Sequence, residues 1–420
     1  MPGLLYPAYQ KFYSALSSLD RFNKEADFFD NTSCLDTFFS EYRNITFAIQ
    51  SQLAHTPFFK AYEINRDKYL TDHWFVDKRN ETIKQKPFQL IKEIAITMFL
   101  PFGGFTVLNE RFSVEGDEPL DSLINDIKGA FSKVNEQEVF FSASFCFHEA
   151  NSDIDLLKKV IQGINAMKNF MAEMDREIGE DCPLCNQLKE RIGKIGIGVM
   201  PYDMILTNDY VYYPQEDRFE RAARQAMMMM GGDKVANRLP LTIITQTPLL
   251  NYDGTTFGNF TIMHAILRTV HPGLDPMLAI MIVFEDETYD LEAFNSDIKT
   301  TMYRKLYETA KIVAAENVVE VCFMGMYSVM EQEKNELYPE ISKERLKLAA
   351  FDMMVCASVD KDLNEKEYVF HGKEMERMEY VVHVMNAGPQ NQLGITRTNL
   401  FPIWYAFKQK KEKQIAEAGV

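Results

Sequence analysis

The chain has 420 residues, of which 46% are hydrophobic and 25% are charged, and its net charge is −16 at pH 7. This length and apolar content allow large buried cores and predict two or three domains. The negative charge argues against indiscriminate binding to nucleic acid, because such binding depends on clustered lysine and arginine side chains.

The sequence also indicates the cellular compartment of the protein. Its first residues, Met1 to Tyr6, lack the cationic start and the apolar stretch of a secretory signal peptide. The longest clear apolar run, Met277 to Phe284, is much shorter than the ~20 residues that cross a bilayer. The six cysteines are scattered through the chain, which favours buried free thiols over a disulfide framework. We therefore expect a globular, cytoplasmic protein with no membrane partner.

Two helical stretches are predicted near the N-terminus, because apolar residues there recur at steps of three and four. The first runs from Asn31 to His55 and the second from Phe58 to Ile83, with a break near Thr71-Asp72. Pro57 separates the two stretches. The sequence therefore predicts an antiparallel helical hairpin over Asn31 to Gln85, with no strand in it.

After the first two helical stretches, the spacing of apolar residues changes from a helical pattern to the alternation that is typical of strands. A β-β-α-β element is predicted over residues 88–149, with strands at Gln89 to Phe102, Phe105 to Val114 and Glu138 to His148, a turn at Gly103-Gly104 and a helix at Leu120 to Val134. A long amphipathic helix is expected from Ile154 to Ile178, with Ser152-Asp153 as its cap.

The sequence of the C-terminal half predicts a sheet. A helix from Asp217 to Met230, ended by Gly231-Gly232, leads into strands at Leu241 to Thr245, Asn259 to Val270, Met277 to Glu285, Val318 to Val329, Leu346 to Val359, Glu367 to His371 and Glu379 to Met385. A helix from Asp297 to Glu316, capped by Ser296, crosses between the third and fourth of these strands. That crossover predicts at least one parallel pair.

The predicted fold class is thus α+β: an N-terminal helical bundle with an attached β-β-α-β element, and a C-terminal mixed-sheet α+β domain. The predicted regions are 1–195 for the helical part with its small element at 88–149, 196–238 for a connecting strand and helix, 239–407 for the sheet domain and 408–420 for a charged tail.

Three short motifs stand out in the helical region: Tyr42-Arg43-Asn44-Ile45-Thr46-Phe47, Phe58-Phe59 and Lys78-Arg79-Asn80. Their order resembles the HEPN superfamily of helical nucleotide-binding proteins, over about residues 30–90. In catalytic members, the resemblance implies, an arginine, a polar residue and a histidine four to six positions after the arginine meet across a helical dimer. Together they cleave RNA without a metal.

Arg79 and Asn80 match two parts of this pattern, and Lys84 stands where the histidine is expected. The chemistry needs a base for the 2′-hydroxyl proton and a guanidinium for the phosphate. A lysine with an ordinary pKa of about 10.4 is a poor base at neutral pH. Arg79, Asn80 and Lys84 are therefore the catalytic candidates of a ribonuclease whose chemistry is impaired or absent, and Arg79, Lys84 and Lys86 are the candidates for binding RNA phosphate. The resemblance implies an RNA-associated protein of defence or toxin type.

A second interpretation stays open. Arg79 can instead pair with Asp77, Glu81 or a neighbouring helix in a structural role. The chain is then a non-enzymatic, dimeric interaction or scaffold protein whose C-terminal sheet domain binds a protein or a small ligand. A homodimer is expected in both interpretations, and no cofactor is expected in either.

Cys182 and Cys185 have the spacing of a zinc knuckle or a redox pair. A structural zinc site needs four ligands, and no second pair lies nearby in the sequence. We expect a structural role for the two cysteines, with a redox or metal role as the alternatives, and no bound metal.

Overall fold

The computed structural model describes residues 3–23, 28–84, 90–99, 106–114, 125, 128, 138–150, 152–179, 181–196, 206–222, 227–230, 238–246, 254–270, 278–294, 297–329, 351–371 and 400–418. The fold is α+β, as predicted, with helices towards the N-terminus and antiparallel sheet towards the C-terminus. The chain divides into two compact units. Unit 1 comprises Met1–Ile96, Glu110–Ala130 and Ala143–Asn208, and unit 2 comprises Thr97–Asn109, Phe131–Ser142 and Asp209–Val420.

Unit 1 is mainly helical. Its described helices are α1 (Tyr6–Leu19), α2 (Phe28–Leu53), α3 (Phe59–Tyr69), α4 (Trp74–Lys84), α5 (Leu156–Ile178) and α6 (Pro183–Ile192). Helix α1 packs on α2 and α6, α2 packs on α4, and α3 packs on α5. The predicted helices are confirmed up to Lys84, including the break before α4, while Gln85 lies outside the described residues.

The apolar stripe of α2 explains why this helix forms and where it packs. All seven side chains that gave the predicted helical spacing are buried: Leu35, Phe38, Phe39, Tyr42, Ile45, Ile49 and Leu53. Full burial of one such side chain contributes about 1.5–3 kcal/mol. Packing of this stripe, more than the intrinsic helix propensity of the residues, therefore stabilises α2.

Phe75 of α4 packs closely against Gly163 of α5, and Tyr42 of α2 contacts both residues. The Phe75 ring lies 4.8 Å from the Tyr42 ring, centroid to centroid. The Tyr42 hydroxyl donates a hydrogen bond of 2.9 Å to the backbone carbonyl of Gly163 in α5. A Cβ atom on Gly163 would lie 2.1 Å from Cζ of Phe75. The two helices can approach this closely only because residue 163 has no side chain.

A five-stranded sheet follows the first helices in the chain. Its order is β2-β1-β3-β4-β5, from β1 (Leu90–Phe99), β2 (Thr106–Val114), β3 (Val139–Glu149), β4 (Thr207–Tyr213) and β5 (Arg218–Arg221). The first four of these strands were predicted. The predicted turn at Gly103-Gly104 lies outside the described residues, and of the predicted helix from Leu120 to Val134 only Asn125 and Lys128 are described, both helical.

Unit 2 contains the second sheet. Its described strands are β6 (Met227–Met230), β7 (Leu239–Pro240), β8 (Leu278–Phe284), β9 (Thr288–Phe294), β10 (Val318–Val329), β11 (Phe351–Asp360) and β12 (Glu365–His371). Their order is β12-β11-β10-β8-β9-β6, with β7 also paired to β9. The described helices are α7 (Thr242–Thr245), α8 (Thr256–Val270), α9 (Lys299–Ala315) and α10 (Phe401–Ala418).

Alternation along β10 gives this sheet two apolar faces. Val321 and Phe323 belong to one core cluster, together with residues of α9 and α10 such as Leu306 and Ile403. Cys322 belongs to a second cluster, which includes Phe257 and Phe260 of α8. The sheet is thus covered by helices on both faces, which explains its strongly apolar strands.

Three predicted elements of unit 2 have the wrong type. The predicted helix from Asp217 to Met230 contains β5 and β6. Asp217 has a left-handed φ of 47° and closes the turn between β4 and β5. The predicted strands at Leu241 to Thr245 and Asn259 to Val270 are helices α7 and α8. Helix α8 is buried on several sides, Asn259 and Thr261 included, so its apolar run shows no clear helical stripe.

The predicted parallel pair is also wrong, because β8 and β10 pair in antiparallel fashion. Every described pairing in this sheet is antiparallel. The sequence prediction missed β9, a hairpin partner of β8 that reverses the chain before α9. Helix α9 therefore connects β9 to β10, and these two strands lie on either side of β8. They run in the same direction without being neighbours.

Two helix ends differ from the prediction. Asp155 caps α5 in place of Ser152-Asp153, because its side chain accepts a hydrogen bond of 3.1 Å from the Lys158 N–H. Residues 408–418 of the charged tail continue α10, with weak ion pairs one turn apart such as Lys408–Glu412 at 3.9 Å. Ser296 and the strand at Glu379 to Met385 lie outside the described residues. No described helix is both long and apolar enough to cross a membrane.

We predict that Gly163→Ala destabilises the protein by about 1–3 kcal/mol, because the added methyl group overlaps the Phe75 ring. This cost exceeds the gain of about 1 kcal/mol in helix propensity. Urea unfolding measures the change in free energy. Gly193→Ala is the matched control, since a Cβ there meets only ordinary contacts. Equal stability of the two variants would contradict the packing argument.

Candidate functional site

Helix α4 carries the predicted RNA site, and its start is well defined. The Asp72 side chain accepts a hydrogen bond of 3.1 Å from the Trp74 N–H, as expected at a helix N-terminus. Asp72 also pairs with Lys159 of α5 at 2.6 Å. The Trp74 ring packs edge-on against Phe39 of α2, with 5.5 Å between centroids. The apolar side of α4 is thereby fixed against the bundle.

Helix α4 contains three residues of the predicted site. Arg79, Asn80 and Lys84 all lie in α4. Asn80 is partly buried. The side chains of Arg79 and Lys84 lie outside the described part of the structure, as does all of Lys86. The structure thus brings three of the four candidates onto one helix.

Lys78 is a residue that sequence reasoning missed. Its ammonium group forms an ion pair with the Glu149 carboxylate at the end of β3, and both side chains are largely buried. This pair joins α4 to a strand 71 residues later in the chain. Glu149 is therefore neutralised beside the candidate site. No local pattern in the sequence could have identified this partner.

The cysteine pair lies at the start of α6. Cys182 is the N-cap residue, and its sulfur accepts hydrogen bonds of 3.3 Å from the Cys185 N–H and the Gly3 N–H. Both cysteines are buried. Burial acts to raise the pKa of the Cys182 thiol. The hydrogen bonds from Cys185, Gly3 and Leu184 outweigh it, so the pKa lies below its ordinary value.

A tyrosine of α1, a carboxylate of α5 and a lysine in the last turn of α6 interact with one another. Helix α5 ends at Gly179, whose left-handed φ of 62° reverses the chain towards α6. As a result, Asp175 of α5 lies beside Lys189 of α6, with 2.6 Å between the charged groups. Burial first, then the charges of Asp175 and Cys185, raise the pKa of Tyr9 well above its usual range.

Unit 2 contains buried charged residues that the sequence analysis did not single out. Arg304 of α9 forms a two-pronged ion pair with Asp209, with distances of 2.9 and 3.1 Å, and a further pair with Glu308. Lys305 pairs with Glu292 of β9 at 2.6 Å. Loss of one partner from such a buried pair costs several kcal/mol. Because each cation already has carboxylate partners, we assign these networks to the fold.

A cleft of about 290 Å³ in unit 2 is a further candidate for a ligand. Its lysines already have partners. Lys361 pairs with Glu285 at 3.8 Å, and Lys411 pairs with Asp362 at 3.9 Å. Lys410 donates to the backbone carbonyls at the end of α9, with 3.4 Å to the oxygen of Val313. The mixed charges give this cleft no clear preference for an anion or a cation.

Comparison of the chain with protein-family models, curated proteins and solved structures found no match. The HEPN resemblance therefore stays a prediction that rests on the three motifs. Within the described residues, no group of three or more histidine, cysteine, aspartate or glutamate side chains could hold a metal ion.

We predict that the purified protein contains no stoichiometric zinc at Cys182 and Cys185. The Cys182 sulfur already accepts backbone hydrogen bonds from Gly3 and Cys185, and two thiols supply only half of a structural zinc site. Elemental analysis after gel filtration measures the metal content. Stoichiometric zinc that disappears in a Cys182→Ser variant would contradict this prediction.

Proposed function

We propose that the protein binds RNA through α4 without cleaving it. The observation that carries the proposal is the fixed position of α4, which is held on its apolar side by Trp74 and Phe75 and carries Arg79 and Asn80 along its length. A guanidinium on a rigid helix loses little conformational entropy when it binds a phosphate. A helix anchored in this way suits phosphate recognition.

The electrostatics around α4 support a local phosphate site in an acidic protein. Asp72 and Glu149 would each repel RNA, but both are paired with lysines, Lys159 and Lys78 respectively. Arg79, Lys84 and Lys86 then add positive charge to this region in the sequence. With a net charge of −16, such a site gives selective binding that weakens steeply with salt.

The positions of the described histidines near α4 support binding without cleavage. His73 precedes the helix by one residue, about 9 Å along the axis from Arg79. The His148 ring contacts Glu93 at 3.3 Å. Because neighbouring strand residues point to opposite sides of a sheet, His148 faces away from the Glu149 carboxylate that contacts α4. Lys84 occupies the position of the expected base, and an ordinary lysine is protonated at neutral pH.

A second candidate is a non-enzymatic interaction protein that forms a homodimer. The observation in its favour is a pair of exposed aromatic side chains, Phe29 and Phe47, on α2. They are eighteen residues, or about five turns, apart and lie on the same face of the helix. Aromatic side chains are enriched at protein interfaces. A second copy of the chain is the partner that this interpretation names.

The direct test is Arg79→Ala, for which we predict at least a tenfold loss of affinity for single-stranded RNA. Fluorescence anisotropy at fixed salt measures the binding. The matched control is Arg66→Ala on α3, because Arg66 is an exposed arginine that pairs with its neighbour Asp67. We expect this control to bind like wild type. Thermal unfolding should show that both variants remain folded, with stability within ~1 kcal/mol of wild type.

Equal binding by the two arginine variants would refute the role of α4. No RNA binding by the wild type, together with a dimer in sedimentation experiments, would favour the interaction protein. A large loss of stability in Arg79→Ala alone would assign that arginine to a buried ion pair.

We further predict that Lys84→His introduces weak RNA cleavage that persists in EDTA, because it supplies the missing base at the expected spacing. Gel analysis of an end-labelled RNA detects the products. The double variant Arg79→Ala, Lys84→His should be inactive, which controls for contaminating nuclease. Inactivity of Lys84→His in a protein that binds RNA through Arg79 would show that the site lacks more than a base.

A further inference from the structure

We propose that Cys182 and Cys185 form a redox-active dithiol that small hydroperoxides convert into a disulfide. This inference does not depend on RNA binding, since it concerns a different group of residues at the start of α6. The spacing of the two cysteines allows a redox role, and their placement in the folded chain favours it.

The two sulfurs are placed to form a bond. Cys182 is the N-cap of α6, and Cys185 lies three residues later on the same side of its first turn. The Cys185 N–H lies 3.3 Å from the Cys182 sulfur. Two cysteines separated by two residues at a helix start have the spacing of redox dithiols, so rotation of the two side chains can bring the sulfurs together.

The surroundings of the pair are asymmetric and make Cys182 the nucleophile. Hydrogen bonds from Gly3, Leu184 and Cys185 converge on its sulfur, and the start of a helix stabilises negative charge. Although burial opposes ionisation, the pKa of the Cys182 thiol is lowered. Low-pKa thiols at helix N-termini are the reactive class of protein cysteines.

Other cysteines of the chain have the opposite character. Burial raises the pKa of the Cys34 thiol. Burial raises the pKa of Cys356 to about 12 and that of Cys322 well above its ordinary value. Cys322 and Cys356 lie within the apolar core of the second sheet. They are internal controls for a selective reaction at Cys182.

The chemistry balances with a hydroperoxide as the oxidant. The Cys182 thiolate attacks one peroxide oxygen, the O–O bond breaks, and a sulfenic acid forms as the leaving alkoxide or hydroxide takes a proton. The Cys185 sulfur then attacks the Cys182 sulfur. A disulfide forms, and the departing hydroxide takes the Cys185 proton to leave as water. The two sulfurs lose two electrons in total, and the peroxide gains them.

Access limits the oxidant to small molecules. Cys182 and Cys185 are only 4% and 3% exposed, whereas Leu184 between them is 44% exposed, so the turn lies at the protein surface. Gly3 contributes one of the hydrogen bonds to the Cys182 sulfur. Disulfide formation removes the negative charge that this N–H stabilises, so oxidation should loosen the contact of the N-terminal segment.

The test uses the full chain, treated with a slight excess of hydrogen peroxide, alkylated and digested with trypsin. Both cysteines fall in the peptide from Glu177 to Lys189. We predict that this peptide loses two hydrogen masses and escapes alkylation, that dithiothreitol restores the thiols, and that Cys322 and Cys356 stay reduced. In Cys185→Ser, dimedone should trap a sulfenic acid at Cys182. In Cys182→Ser, where serine keeps the helix cap, oxidation of Cys185 should slow at least tenfold.

A second measurement on the wild type does not require a variant to fold. The rate of alkylation of Cys182 by iodoacetamide should rise with a pH midpoint below the ordinary cysteine value of about 8.5. Oxidation of Cys322 or Cys356 before the pair, a midpoint at or above the ordinary value, or stoichiometric zinc on the two thiols would each overturn the proposal.

Discussion

The arrangement of unit 1 depends on the contact between the Phe75 ring and the bare backbone of Gly163. This contact sets the distance between α4 and α5, and the Tyr42 hydroxyl fixes α2 to the same carbonyl. Interiors packed to crystal density do not absorb an added methyl group without shifting their neighbours. The position of α4 therefore follows from one glycine and two aromatic rings.

Much of the fold could be predicted wherever one pattern dominates. The stripe of α2 gave the helix and its buried residues, and the apolar run of β10 gave the strand from Val318 to Val329. Prediction failed where the elements were short or buried on several sides, as for β5, α7 and α8. Periodicity cannot separate helix from strand in such segments. One missed strand, β9, was enough to turn an antiparallel sheet into an expected mixed one.

The candidate sites, like the fold, could be predicted only in part. Sequence motifs located Arg79, Asn80 and the cysteine pair, because the chemistry of those residues is encoded in local spacing. The groups that form ion pairs or hydrogen bonds with these sites lie in distant segments of the chain. Glu149 lies 71 residues from Lys78, and Gly3 lies 179 residues from Cys182. Only the folded chain brings these partners together, so pairing and thiol reactivity could not be read from the sequence.

The most direct test of an RNA site on α4 is ultraviolet crosslinking of the wild-type protein to a short single-stranded RNA, followed by mass spectrometry of the crosslinked peptides. We predict that crosslinks concentrate in peptides from residues 73–86 and decrease as salt is raised, as expected for phosphate contacts. Crosslinks that occur only in unit 2, or that are spread evenly over the chain, would contradict this account.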